Sequence, residues 1–206
     1  DSLLRASLVT TLGELGDESV VAEARRRVEA SRRDPSVLPG SVRDAAFEVY
    51  AYNATPAQFA SLMAQAKSAT DFVEQRRLWG VIGNVHDDSL AGQLLNMTLG
   101  DEIPRPLRRR VISAVASNHP RMAWDFLVAH RAAIESLLEA GVRLEFPIEV
   151  ARNSDDPAMT AELDRYTADF PAGARPQVDG AKASIQLRAD LVRNRFPAAE
   201  AWIAQH

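Results

Sequence analysis

Apolar residues recur along this chain at spacings of three and four, and almost nowhere at two. Leu3, Leu4, Leu8, Leu12 and Leu15 open the pattern, and Gly16 supplies a stop. That is the period of a helix followed by a glycine C-terminus. Asp17 is placed to cap a second helix through Val20, Val21, Ala24 and Val28. The prolines and glycine of residues 34–40 predict a loop, after which Ser41 caps a helix through Val42, Ala46, Val49 and Tyr50. Thr55-Pro56 opens the next helix, with proline where its missing N–H costs nothing. Thr70 is expected to start a helix with Phe72, Val73, Leu78, Trp79 and Ile82, and Asp87 to cap its partner, which ends at Gly100.

The same signals continue. Pro104 and Pro106 lead into Leu107, Val111, Ile112 and Val115. Asn118 and Pro120 begin a segment with Met122, Trp124, Phe126 and Leu127, and a further helix holds Ile134, Leu137 and Leu138 before Gly141. Asp155-Asp156-Pro157 starts another, with Met159, Leu163, Tyr166 and Phe170. The last long helix follows Pro176, and Pro197 restarts a short one with Trp202 and Ile203. Starts at Asp17, Thr55, Asp87, Asn118 and Asp155 lie roughly 31–38 residues apart, the period of stacked helical hairpins. The expected fold is all-α: a right-handed, HEAT/armadillo-like α-solenoid with a concave side, forming one domain over residues 1–206.

Composition sharpens the class. The 206 residues are 46% hydrophobic and 25% charged, which is globular. A net charge of −4 disfavours a nucleic-acid partner, and no apolar run approaches the roughly 20 residues of a membrane span. The absence of cysteine removes disulfides, thiolate zinc sites and cysteine nucleophiles, while leaving the compartment open. The chain opens at Asp1 already inside a helical pattern, as a C-terminal fragment of a longer polypeptide would.

Chemistry is sparse. His86, His119, His130 and His206 include no pair four apart, so no metal site is expected. Asp87-Asp88 and Asp155-Asp156 sit at helix starts, where orphan N–H groups and the macrodipole account for them. Trp79, Trp124 and Trp202 fall at core spacing. The clusters Arg25-Arg26-Arg27, Arg32-Arg33, Arg76-Arg77 and Arg108-Arg109-Arg110 stand out. Consecutive helical residues fan over the surface, so a solvated or ion-paired role is expected for most; any that lined a groove would suit carboxylates. Asn118 is the best polar candidate, as an N-cap or as an amide facing a cavity.

Several runs resemble one known family. Val115-Ala-Ser-Asn118-His-Pro120-Arg-Met-Ala123-Trp124-Asp125-Phe126-Leu127 is similar to the Asn-Pro … Leu-Ala-Trp-x-Phe segment in the C-terminal domain of the gluzincin zinc aminopeptidases. These are the aminopeptidase N family, of the puromycin-sensitive and endoplasmic-reticulum type. Glu74-Gln-Arg-Arg-Leu78-Trp79, Ala161-Glu162-Leu163 to Phe170, Trp202-Ile203 and Leu12-Gly-Glu-Leu-Gly16-Asp17 fall in the matching order. Ile185-Gln-Leu-Arg188 departs from an Asn-x-x-Trp usual there. The resemblance implies a non-catalytic domain that closes over the catalytic domain of the same polypeptide, forming and gating a peptide chamber. Peptide would be met through the concave face, with Asn118 and Arg109 as candidate contacts. Zinc would belong to the parent's catalytic domain and none to this fragment. A free-standing HEAT-like interaction scaffold and a HEAT-like DNA glycosylase are the alternatives from the residues alone.

Overall fold

The computed structural model describes residues 2–204. Asp1 and His206 lie outside the described residues, as do the side chains of Leu3 and Ser41. Every described α- or π-helical and 3-10 segment belongs to an all-helical chain, with no strand among the described residues. In order they are α1 (Ser2–Glu14), α2 (Glu18–Ser31), α3 (Gly40–Tyr52), α4 (Pro56–Ser68), α5 (Phe72–Ile82), α6 (Asp88–Met97) and α7 (Arg105–Asn118). Then come α8 (Pro120–Ala129), α9 (Arg131–Leu137), α10 (Ala140–Arg152), α11 (Met159–Tyr166), α12 (Arg175–Asp190) and α13 (Phe196–Ile203). The fold is all-α, as the periodicity requires. Contacts cluster into two compact units, Asp1–Asn118 and His119–His206.

In the first unit α1 packs on α3, α3 on α5, and α5 on α7. The intervening α2, α4 and α6 pack against their sequence neighbours. This is a hairpin stack in which alternate helices form a continuous row. Small residues set its spacing. A Cβ on Gly13 would collide with the Val49 side chain, and one on Gly83 with the Cβ of Ala114, so α1 meets α3 and α5 meets α7 at close range. The interior holds Phe47, Phe59, Leu62, Leu78, Trp79, Ile82 and Leu94, all at most 1% exposed. Each such side chain contributes roughly 1.5–3 kcal/mol on burial.

The second unit repeats the scheme: α8 packs on α10 and α10 on α12, while α11 packs against both α10 and α12. Helix α10 is central, burying Phe146, Ile148, Val150 and Ala151. The sequence pattern missed it. Gly141 lies in its first turn rather than after the preceding helix, and Pro147 sits buried in its interior. Proline there removes one backbone bond, yet the burial on two neighbouring helices retains the helix.

Caps follow local chemistry closely. Gly16 adopts φ +81°, and Asp17 N–H reaches the Leu12 carbonyl while Gly16 N–H reaches that of Gly13. That is a Schellman ending, which needs the left-handed residue glycine supplies. Asp17 caps α2 through Val20 N–H, Asp87 caps α6 through Leu90 N–H, and Thr55 with Gln58 forms a reciprocal capping box on α4. Elsewhere the expected starts move. Asp71, not Thr70, caps α5, accepting from Val73 and Glu74 N–H. Pro39 precedes α3, so Ser41 lies inside its first turn. α11 begins at Met159, with Asp156 accepting from Ala158 N–H. Asn118 is the last residue of α7, and His119 holds the N-cap position of α8.

Pro197 stands in the first turn of α13, as the proline signal predicts, but no loop precedes it. α12 continues through a π-helical turn, Leu191–Arg195, directly into α13. The wider turn ends before the proline, and Asp190 holds it by accepting from Asn194 Nδ2 and Arg195 Nε. Trp202, expected in the core, is 62% exposed. Leu4, Leu8, Leu12 and Leu15 also face outward, contrary to the core role their spacing suggests.

Candidate functional site

Helix α7 carries both sequence candidates. Its buried face is Leu107, Val111, Ile112, Val115 and Ala116, which fixes where the arginine triplet points. Arg108 folds back, donating from Nε to the Ile103 carbonyl and pairing with Asp101. Arg110 lies over α5, its Nε 2.6 Å from where a Cβ on Gly80 would stand. Arg109 is exposed. Three adjacent arginines thus leave the helix in three directions, as 100° per residue demands. Asn118 is exposed at the helix end, and its Nδ2 donates to the Asn84 carbonyl at 2.9 Å. It ties α7 to the chain leaving α5. Nine positions separate Arg109 from Asn118, which is half a revolution and about 13 Å of rise. The structure does not bring the two candidates together.

The other arginines are largely engaged in bracing. Arg25 donates to the Asn53 carbonyl, while Arg26 and Arg27 share Glu23 and hold its carboxyl at about 2. Arg77 hydrogen-bonds Glu74 and lies 4.2 Å from the Phe47 ring centroid, with Arg43 on the same glutamate from α3. The Arg77 hydrogen bond keeps the Glu74 carboxyl below its usual range.

The Ala123-Trp124-Asp125-Phe126 run is also structural. The Trp124 indole N–H donates to Glu162 Oε2 at 2.8 Å, and Arg121 reaches Oε1 of the same carboxylate at 2.6 Å. Arg121 also forks onto Asp125. Tyr166 packs beside Trp124, and the Arg131 guanidinium lies over the Tyr166 ring. Charge-assisted donation from Arg121, with the indole bond behind it, pulls the Glu162 carboxyl down. Sequence spacing could place Trp124 in a core but could not supply this partner from α11.

His86 stacks on Tyr52, His130 packs against Phe126, and His119 is buried. Among the described residues no three metal-ligating side chains converge. The donor set does not fit the ion that a zinc peptidase uses. No described helix is long and apolar enough to cross a membrane. Clefts open to solvent include two among the described residues. One, of about 340 Å³, is lined by Val9, Val20, Ala24, Leu38, Val42 and Ala46, with Ser19, Glu23 and Arg27 as its polar members. The other, of about 290 Å³, is lined by Glu145, Ile148, Glu149, Arg152 and Gln177. Periodicity gave no hint of either.

Comparison with known proteins supplies what side-chain chemistry does not. The family model of the ERAP1-like C-terminal domain matches residues 1–187, across both units. The chain is 26% identical over 132 residues to Aminopeptidase M1 of Arabidopsis thaliana, covering 62% of this chain and 15% of that protein. It is 28% identical over 132 residues to Aminopeptidase M1-A of Oryza sativa subsp. japonica, with the same coverage of 62% and 15%. The match therefore spans about a seventh of the length of these relatives. With an all-helical hairpin stack and a family match over residues 1–187, the chain belongs to the ERAP1-like C-terminal domain family.

Proposed function

We propose that this chain is the non-catalytic C-terminal helical domain of a zinc aminopeptidase, residues 1–206 acting as one domain of a longer polypeptide. It closes over the catalytic domain of that polypeptide, walls the peptide chamber and gates entry to it. The observation that carries the reading is the family match over residues 1–187, joined to relatives named as aminopeptidases in which the matching segment is 15% of the length. Zinc and the peptide-cleaving groups belong to chain outside this segment. What the helices contribute is shape and charge, with peptide as the ligand met along the row.

Arg109 and Asn118 remain the proposed positions for peptide selectivity, Arg109 as a contact and Asn118, on the opposite side of α7, as a positioning residue. Arg109 presents a guanidinium suited to a peptide carboxylate. Asn118 acts by holding the α7 end against Asn84. In the parent enzyme, Arg109→Ala is expected to lower kcat/KM on long peptides about tenfold, the scale of a lost charge-assisted hydrogen bond. Aminoacyl-anilides, too short to reach, should be cut at the unaltered rate. Asn118→Ala should give a smaller loss of the same selectivity. Equal losses on long and short substrates would count against a contact remote from the reacting bond.

A further inference from the structure

Hydrogen bonds join the C-terminal ends of the row helices α1, α3, α5 and α7 into one edge. Asn53 Nδ2 donates to the Gly13 carbonyl of α1 at 3.0 Å. The His86 N–H, just past α5, donates to the Tyr52 carbonyl of α3 at 3.1 Å, and Asn118 Nδ2 of α7 to the Asn84 carbonyl at 2.9 Å. Three of these ends carry an asparagine: Asn53 directly follows α3, Asn84 lies two residues past α5, and Asn118 closes α7. Capping uses only part of these side chains. Among the described residues, nothing donates to Oδ1 of Asn53 or Asn118, and the Asn84 amide makes no hydrogen bond through either atom. Asn118 is exposed, and Asn53 and Asn84 are half-buried.

Such an edge is rich in acceptors. A helix C-terminus presents unpaired carbonyls and partial negative charge, which a basic side chain in the last turn ordinarily answers. The last turns of α3, α5 and α7 carry none. Packed helices stand about 8–10 Å apart, and an extended chain rises roughly 3.3 Å per residue. One step along the row therefore spans about three residues of an extended peptide. We infer that the asparagine row binds the main chain of an extended peptide, Oδ1 of Asn53, Asn84 and Asn118 accepting N–H groups from about every third residue. Main-chain recognition leaves side chains unread, so one row serves substrates of differing sequence. The inference rests on the peptide-chamber reading above and adds to it the part of the substrate that is recognised. At Asn118 the contact joins the positioning bond to Asn84. A cation is the weaker occupant, because asparagines one helix apart cannot share an ion whose oxygen ligands stand about 2.3–2.6 Å from it.

The test uses the full-length parent enzyme and a C-terminally amidated decapeptide, leucine followed by alternating serine and alanine. Amidation removes the carboxylate offered to Arg109. Analogues replace one backbone amide at a time by an ester, which deletes that N–H and leaves every side chain intact, and release of the first residue is followed by mass spectrometry. kcat/KM should fall about threefold to tenfold, the scale of one backbone hydrogen bond, at distal bonds recurring about every third position. That periodicity is read on the wild-type enzyme, without any variant. Asn84→Ala should erase one of the losses, while Asn84→Asp, which keeps an acceptor oxygen, should retain it. Esters tolerated at every distal position, losses without that spacing, or the same profile in wild type and Asn84→Ala would overturn the inference. So would equal losses for Asn84→Ala on the decapeptide and on aminoacyl-anilides, the mark of a structural role. The outcome is separable from the Arg109 contact. A periodic ester profile with equal Arg109→Ala losses on long and short substrates keeps the asparagine row and rejects that contact, and a flat profile with a long-peptide loss for Arg109→Ala does the reverse.

Discussion

At the scale of single residues, the two buried tryptophans of α5 and α8 behave differently. Trp79 is fully buried and its indole nitrogen makes no hydrogen bond, whereas that of Trp124 donates to Glu162. Both spacings signalled core, and both are core; only the partner from another helix separates them. Trp79→Phe should therefore lose packing alone, while Trp124→Phe also loses a charge-assisted bond. A double-mutant cycle of Trp124→Phe with Glu162→Gln, read by urea unfolding, is expected to give a coupling of about 0.5–1.5 kcal/mol. The acid limb of stability carries the same information. Glu162 is depressed below its ordinary 4.5, so its contribution is present above that pH and is lost as pH falls through the folded value. Glu162→Gln should flatten that loss. Glu48 is the opposite case: burial raises its carboxyl above 4.5, so the native state holds its proton longer and stability declines as pH rises through that range. Glu48→Gln, which keeps an acceptor for Thr10, should gain stability above that pH, measured by the same titration.

At the scale of elements, what the chain reports locally is its ends. Asp17, Thr55, Asp87 and Gly16 are legible because each cap is satisfied within a few residues. The failures are equally physical. α10 contains a proline, and only its position between α8 and α12 makes that tolerable. Pro197 does open α13, yet the helix before it runs in through a π-helical turn with no loop between. Glycine gives a direct test of how elements meet. Gly80 faces the movable end of Arg110, so Gly80→Ala should be neutral or stabilising by up to about 1 kcal/mol from helix propensity. Gly83 faces the Cβ of Ala114, which cannot swing away, so Gly83→Ala should cost about 1–3 kcal/mol by overpacking α5 against α7. Thermal melting of the two variants should shift in opposite directions or, at the least, by clearly different amounts.

At the scale of the whole molecule, function follows from membership of a family rather than from a catalytic cluster. Residues 1–206 purified as a separate polypeptide are expected to bind no stoichiometric zinc and to release no product from aminoacyl-anilides, checked by elemental analysis and absorbance. Chelator-sensitive hydrolysis by that polypeptide would contradict the assignment of catalysis to chain outside it. The sequence by itself determined the helical class, the hairpin period, the caps at Gly16, Asp17, Thr55 and Asp87 and the family likeness, because each of these is written in spacings of a few residues or in short runs. Where Arg109 and Asn118 point, which carboxylate holds Trp124, and that Leu4, Leu8, Leu12 and Trp202 face outward were decided only by tertiary structure. Helical periodicity says that residues share a face, and only the neighbouring helix determines whether that face is covered.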